Sequence, residues 1–163
     1  MGDSNSKQPG RLVAPPELPG SVLFACSLNA VRSPMAEALM QHLLGRRVYV
    51  ASGGVRAGEL DPFATSVMNE LGIDISKHKP HTLEDLHDTS FDLVVSLSPE
   101  AHHHALELTR TMALDVEYWP TPDATVMNIG GSREDILNRY RAVRDQLFDR
   151  IKSRFPMPGS PHV

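Results

Sequence analysis

The sequence predicts an α/β protein: a four-stranded parallel sheet with helices on both faces. Three observations carry this. Between residues 21 and 155, short β-type runs alternate with helical patterns. Each of the four runs is followed by a helix, and parallel strands need such crossovers. The chain of 163 residues has the length of one domain and, at 40% hydrophobic and 22% charged residues, the composition to bury a core.

Val22-Leu23-Phe24-Ala25 is an apolar run of the buried-strand kind. Ser33 then Pro34 reads as N-cap and first helical position. Ala36, Leu39, Met40, Leu43 and Leu44 share one face of the helix that follows, and Gly45 suits its stop. Val48-Tyr49-Val50 is the second strand. Asp61-Pro62 opens a helix with Ala64, Val67, Met68 and Leu71 on its face and Gly72 at its end. A short helix is expected from Thr82. Phe91 to Leu97 is the third strand. Ser98-Pro99 starts a helix that turns Ala101, Ala105, Leu108 and Met112 inward. Val116 and Tyr118 alternate in the fourth strand. Ser132 starts a long helix with Ile136, Tyr140, Val143, Leu147 and Ile151 on one stripe. Proline and glycine mark residues 1–20 as an irregular arm and residues 156–163 as a tail around one domain, 21–155.

Composition narrows the function. A net charge of -4 argues against a nucleic-acid partner. No apolar run approaches the ~18–20 residues of a membrane span, so no membrane partner is expected. The N-terminus has no apolar stretch of the signal-peptide kind, and the expected location is cytoplasmic. Cys26 is the only cysteine, which excludes an internal disulfide and any site needing two thiolates. His102-His103-His104 point different ways on a helix and cannot share a metal. No metal and no cofactor are expected.

In parallel sheets, ligands bind beyond the C-terminal strand ends, where strand order reverses. The loop Cys26-Ser27-Leu28-Asn29-Ala30-Val31-Arg32-Ser33 lies between the first strand and a helix N-terminus. Free N–H groups and the helix dipole favour an anion there, and a thiolate would have a depressed pKa. Arg32 can grip two oxygens of a tetrahedral oxyanion above the sulfur. Ser33 can bond the thiolate or the first-turn N–H groups. The grouping suits attack on phosphorus or arsenic. The plainer alternative is a small buried cysteine, with Arg32 as surface and Ser33 as cap.

Val22-Leu23-Phe24-x-Cys26-x-x-Asn29-x-x-Arg32-Ser33-Pro34-x-Ala36-Glu37 resembles the signature of the low-molecular-weight protein-tyrosine phosphatase family, in the arsenate-reductase-like superfamily. Ser52-Gly53-Gly54, Asp61, Leu71-Gly72-Ile73, His78, Phe91-Asp92-Leu93-Val94 and Asp123 resemble its later segments in order, over about residues 21–155. The resemblance implies a flavodoxin-like doubly wound sheet and a cysteine-dependent phosphatase. Cys26 would form a phosphocysteine intermediate, and Arg32 with the loop N–H groups would hold the phosphoryl oxygens. Asp123 would protonate the leaving oxygen. Asn29 would hold the loop, with Ser52 and His78 as partners. The implied partner is a phosphorylated protein or small phosphate ester, its oxyanion in the Cys26–Ser33 loop.

Three departures from the family pattern bear on the site. Leu28 stands where the family has glycine. A left-handed backbone there would cost leucine about 1–2 kcal/mol, whereas a leucine projecting outward would line the mouth. Val31 replaces a second loop cysteine, so oxidised Cys26 has no loop thiol to pair with. Asp123-Ala124-Thr125-Val126 lacks the proline and tyrosines of the family, and Val55 and Arg56 stand on the other side. The aromatic wall for a phosphotyrosine ring is therefore missing from that segment; Tyr118 and Trp119 read as core. Asp123 alone also fits a turn before the last helix, and Asp92 fits a tethering role. Three activities follow: hydrolysis of phosphate monoesters, chiefly protein phosphotyrosine; arsenate reduction with an external small thiol; and binding of an oxyanion or phosphoprotein without turnover.

Overall fold

The computed structural model describes residues 18–86, 90–125 and 131–157. Most of the expected arm (residues 1–17), most of the expected tail (158–163) and Val126 lie outside the described residues. The strands are β1 (Ser21–Cys26), β2 (Tyr49–Gly54), β3 (Leu93–Ser96) and β4 (Asp115–Tyr118). The helices are α1 (Arg32–Leu44), α2 (Pro62–Asn69), α3 (Pro99–Leu108) and α4 (Arg133–Arg154), with one 3₁₀ turn at Glu84–Leu86.

The sheet is parallel throughout, in the order β2-β1-β3-β4. Strand order reverses between β1 and β3, as a doubly wound sheet requires. The pleat divides the core. Val22, Phe24, Cys26, Val50 and Val95 face the larger cluster, which α1, α2 and α4 cover. Leu23, Ala25 and Val94 face a smaller cluster that takes Ala101 and Ala105 from α3. Leu18 and Met157, at either end of the described chain, pack against the larger cluster. Among the described residues no helix is long and apolar enough to cross a membrane.

The helix starts follow side-chain caps at three places. Asp61 accepts from the Phe63 N–H at 2.8 Å, Ser98 from Ala101 at 3.2 Å, and Ser132 forms a capping box with Asp135. At α1 the expectation is corrected. Ser33 is not the N-cap: the helix begins at Arg32 behind Val31, which makes no side-chain cap, because the Ser33 hydroxyl is turned to Cys26 instead. β2 runs on to Gly54, since Ser52, Gly53 and Gly54 stay in register with Phe24, Ala25 and Cys26. β3 is shorter than Phe91–Leu97. α2 ends at Asn69, so Leu71 leaves the buried face and is 37% exposed, and Gly72 turns the chain with φ +75°. α3 likewise stops at Leu108, leaving Met112 in the turn beyond it.

Candidate active site

β1 ends at Cys26, and α1 begins six residues later at Arg32. The chain between them bends around a cavity of about 740 Å³. Its carbonyls face outward. Those of Cys26, Ser27, Leu28 and Ala30 accept from the N–H groups of Val55, Arg56, Gly58 and Asp61, at 3.0, 2.9, 2.8 and 3.2 Å. Among the described residues, no main-chain carbonyl takes the N–H groups of Leu28, Ala30 or Val31. Together with the first turn of α1, these make a cradle for an anion. Gly54 permits the close approach. A Cβ there would collide with the Arg56 carbonyl oxygen and lie 2.8 Å from the Asn29 nitrogen.

Cys26 is 2% exposed at the floor of this loop. Its Sγ lies 2.8 Å from the Ser33 hydroxyl and receives the Asn29 N–H at 3.3 Å. Asn29 is fully buried and is the one described non-glycine residue with positive φ, +55°. Its side chain is saturated. Nδ2 donates to Ser33 and Ser52, both at 2.9 Å, while Oδ1 accepts from the His81 N–H at 3.0 Å and meets His78 Nε2 at 2.9 Å. The expected partners Ser52 and His78 are thus both present, and Ser33 and His81 join them. Leu28 does not take the left-handed conformation; Asn29 does. Leu28 projects outward, 45% exposed, and lines the mouth.

Behind Asn29 lies a second layer. Ser52 donates to Glu37, which also takes the Gln41 amide at 3.1 Å and stands 3.9 Å from His78 Nδ1. Burial raises the Glu37 pKa from its ordinary value, against the pull of the Ser52 bond, of nearby His81 and of the Gln41 bond. Burial, and then the neighbouring His81, lower the His78 pKa and favour its neutral ring. Glu37 is legible in retrospect: four residues past Ser33, it is a carboxylate on the same helix face.

Arg32 is 8% exposed. Its Nη1 donates to the Thr121 carbonyl at 3.1 Å, and its Nη2 stands 3.9 Å from Asp123 Oδ2. Asp123 lines the same cavity as Cys26 and Arg32. Its Oδ1 accepts the N–H and hydroxyl of Thr125, at 2.9 and 2.7 Å. Ser27 donates to Ser98, the cap of α3, at 3.1 Å and so ties the loop to the other side of the strand-order reversal. Arg56 also lines the cavity, held by two bonds of 2.6 and 3.0 Å to Glu100.

The remaining sequence candidates lie elsewhere. Asp92 tethers the Gly20 N–H at 2.9 Å. Trp119 is buried against Phe24, and Tyr118 stacks on His102 at 4.4 Å. Among the described residues no group of three His, Cys, Asp or Glu side chains is arranged to hold a metal ion. Sequence reasoning missed Phe63 and placed Tyr140 only in the core, yet both line the cavity. Their signal was positional: Phe63 follows Pro62 at the start of a helix that begins beside the loop.

A family model described as low molecular weight phosphotyrosine protein phosphatase matches residues 21–153. Arsenate reductase 2 of Staphylococcus epidermidis is 40% identical over 135 residues, 82% of this chain and 94% of that protein. Among solved structures, a low molecular weight protein tyrosine phosphatase from T. tengcongensis superposes with a TM-score of 0.65 at 26% identity, covering 80% of this chain and 94% of the other. The YwlE arginine phosphatase from Geobacillus stearothermophilus gives 0.63 at 28% identity, covering 82% and 88%.

Proposed function

The chain belongs to the low molecular weight phosphotyrosine protein phosphatase family, and from that premise we propose that it hydrolyses phosphate monoesters, chiefly protein phosphotyrosine, through a phosphocysteine intermediate. The observation that carries this reading is the setting of Cys26: a sulfur within bonding distance of Ser33 and the Asn29 N–H, at the floor of an amide-lined loop under Arg32.

The Cys26 thiolate attacks phosphorus, and the bond to the leaving oxygen breaks as Asp123 gives it a proton. The loop amides and Arg32 hold the equatorial oxygens as charge moves onto them. The Asp123 carboxylate then takes a proton from water as that water displaces the sulfur, which releases phosphate. Asn29 fixes the loop, and Ser52 and His78 fix Asn29.

A second reading is arsenate reduction, favoured by the 40% identity to an enzyme of that name. With Cys26 the only cysteine, the second thiol of that reaction would come from a small external molecule. Hydrolysis of an aryl phosphate by the reduced protein separates the two. Cys26→Ser is expected to be inactive, and Asp123→Asn slower by about 10²–10³-fold. Wild-type turnover no greater than that of Cys26→Ser would overturn the phosphatase reading. Arsenate-dependent consumption of glutathione or mycothiol would then establish the reductase, and silence in both assays a binding role.

A further inference from the structure

We infer that Phe63, backed by Tyr140 and fixed by Asp61, is the wall against which an aromatic leaving group rests. The inference deepens the phosphatase reading and rests on it. The segment after Asp123 has no aromatic residue to flank a phosphotyrosine ring as far as Thr125, and across the mouth stands Arg56. Two rings enter the same cavity from other elements: Phe63 from the first turn of α2, and Tyr140 from α4.

One carboxylate holds both residues, Phe63 by its main chain and Tyr140 by its side chain. Asp61 Oδ1 accepts the Phe63 N–H at 2.8 Å, and Oδ2 accepts the Tyr140 hydroxyl at 2.6 Å. The rings meet at 5.4 Å between centroids, tilted by 38°. The Arg133 guanidinium lies over Phe63 at 5.4 Å and braces it further. Tyr140 is 3% exposed and forms the backing, whereas Phe63 is only half-buried and meets the cavity. Asp61 also gives its N–H to the Ala30 carbonyl at 3.2 Å, so the wall is tied to the loop that would hold the phosphoryl group. A ring so held meets a planar ligand without first being ordered, which favours binding. Leu28 lines the mouth as well. Such a compartment selects an aryl phosphate over an alkyl phosphate and adds nothing for a bare tetrahedral anion.

The test separates binding from turnover by using two inert phosphonates. Benzylphosphonate has the shape of phenyl phosphate, and ethylphosphonate that of methyl phosphate. Calorimetric titration of the wild type is expected to show benzylphosphonate binding about five- to tenfold tighter. Phe63→Ala should erase that preference and leave ethylphosphonate affinity within about twofold, a control that the loop still folds. Phe63→Leu, which keeps apolar volume without the ring, should retain part of it. Equal affinities in the wild type, or equal weakening of both ligands in Phe63→Ala, would overturn the assignment. A benzyl preference in a protein that hydrolyses no ester would support the wall and overturn the phosphatase reading.

Discussion

Asn29 is the residue on which the loop's shape depends most. It combines a left-handed backbone with a buried side chain that makes four hydrogen bonds. Replacing it by alanine adds strain of about 1–2 kcal/mol and removes one hydrogen bond each from Ser33, Ser52, His78 and the His81 N–H, although Ser33 keeps Cys26 and Ser52 keeps Glu37. Each such loss costs about 1–3 kcal/mol where burial is complete. We expect Asn29→Ala to lower stability by about 3 kcal/mol or more and to abolish phosphate binding. Asn29→Gly should recover only the strain part, because glycine tolerates the positive φ but supplies no side chain. Thermal melts with and without phosphate check both variants; equal stability of the two would mean that the backbone conformation contributes nothing. At this scale much was legible in the sequence. Asn29, Ser52 and His78 pointed to one another through the family pattern. The Cys26–Ser33 contact was one of two roles open to Ser33, and only the fold, by starting α1 at Arg32, gives the hydroxyl to the sulfur. The conformation of Leu28 was not legible, since the positive φ can fall on either of two adjacent residues until the loop's hydrogen bonds are known.

Among the elements, α2 and α4 are joined at both ends of α2. Tyr140 reaches Asp61 at its start, and Arg141 and Arg144 reach Glu70 at its end, at 2.6 and 2.8 Å. Hydrogen bonding from Arg141 above all, and also from Arg144, holds the Glu70 pKa at about 2, against an ordinary 4.5. The sign follows. A carboxylate whose pKa falls on folding adds stability above its unfolded pKa and loses it as pH drops through the folded one. Glu70→Gln should therefore be less stable than wild type at pH 6, and the difference should close between about pH 4.5 and pH 2. Glu70 is partly exposed, so solvent screening limits the loss to about 1 kcal/mol, or about 2–4 °C in Tm. Melts across that range check it, and a difference that persists at pH 2 would assign the loss to packing. The caps of α2, α3 and α4 were readable, as was most of the apolar spacing, because a side-chain cap and a 3.6-residue stripe are local; α1, with no side-chain cap, was the exception. Ends were less so. β2 continues through Ser52-Gly53-Gly54 only because β1 lies beside it, and α2 stops short of Leu71 although the apolar spacing runs on. The Glu70–Arg144 tie spans 74 residues and leaves no local mark.

For the molecule as a whole, the alternation of strand and helix foretold the parallel sheet with helices on both faces, and the sheet determines where the loop lies. The single cysteine is a property of the entire chain, and its redox behaviour follows from that count. Cys26 lies at the floor of the loop, and Val31 fills the position that holds a second loop cysteine in the family pattern. Peroxide oxidises a cysteine thiolate to a sulfenic acid as its O–O bond breaks and hydroxide leaves. In relatives with a nearby thiol, that species would close to a disulfide. Here no other thiol exists in the chain, so three fates remain: further oxidation to the sulfinic acid, condensation with a main-chain nitrogen, or capture by an external thiol with loss of water. The Asn29 nitrogen, 3.3 Å from the sulfur, already donates to it. We expect peroxide alone to inactivate the protein progressively, with a mass gain of one and then two oxygens on the Cys26 peptide. Added glutathione should instead give a mixed disulfide, which a second thiol reduces to restore Cys26. Activity recovered by glutathione should fall as the doubly oxygenated mass grows, because that product is beyond thiol repair. Full recovery after that mass has become dominant would show that the inactivating oxidation lies on some other residue, with one of the seven methionines as the first alternative.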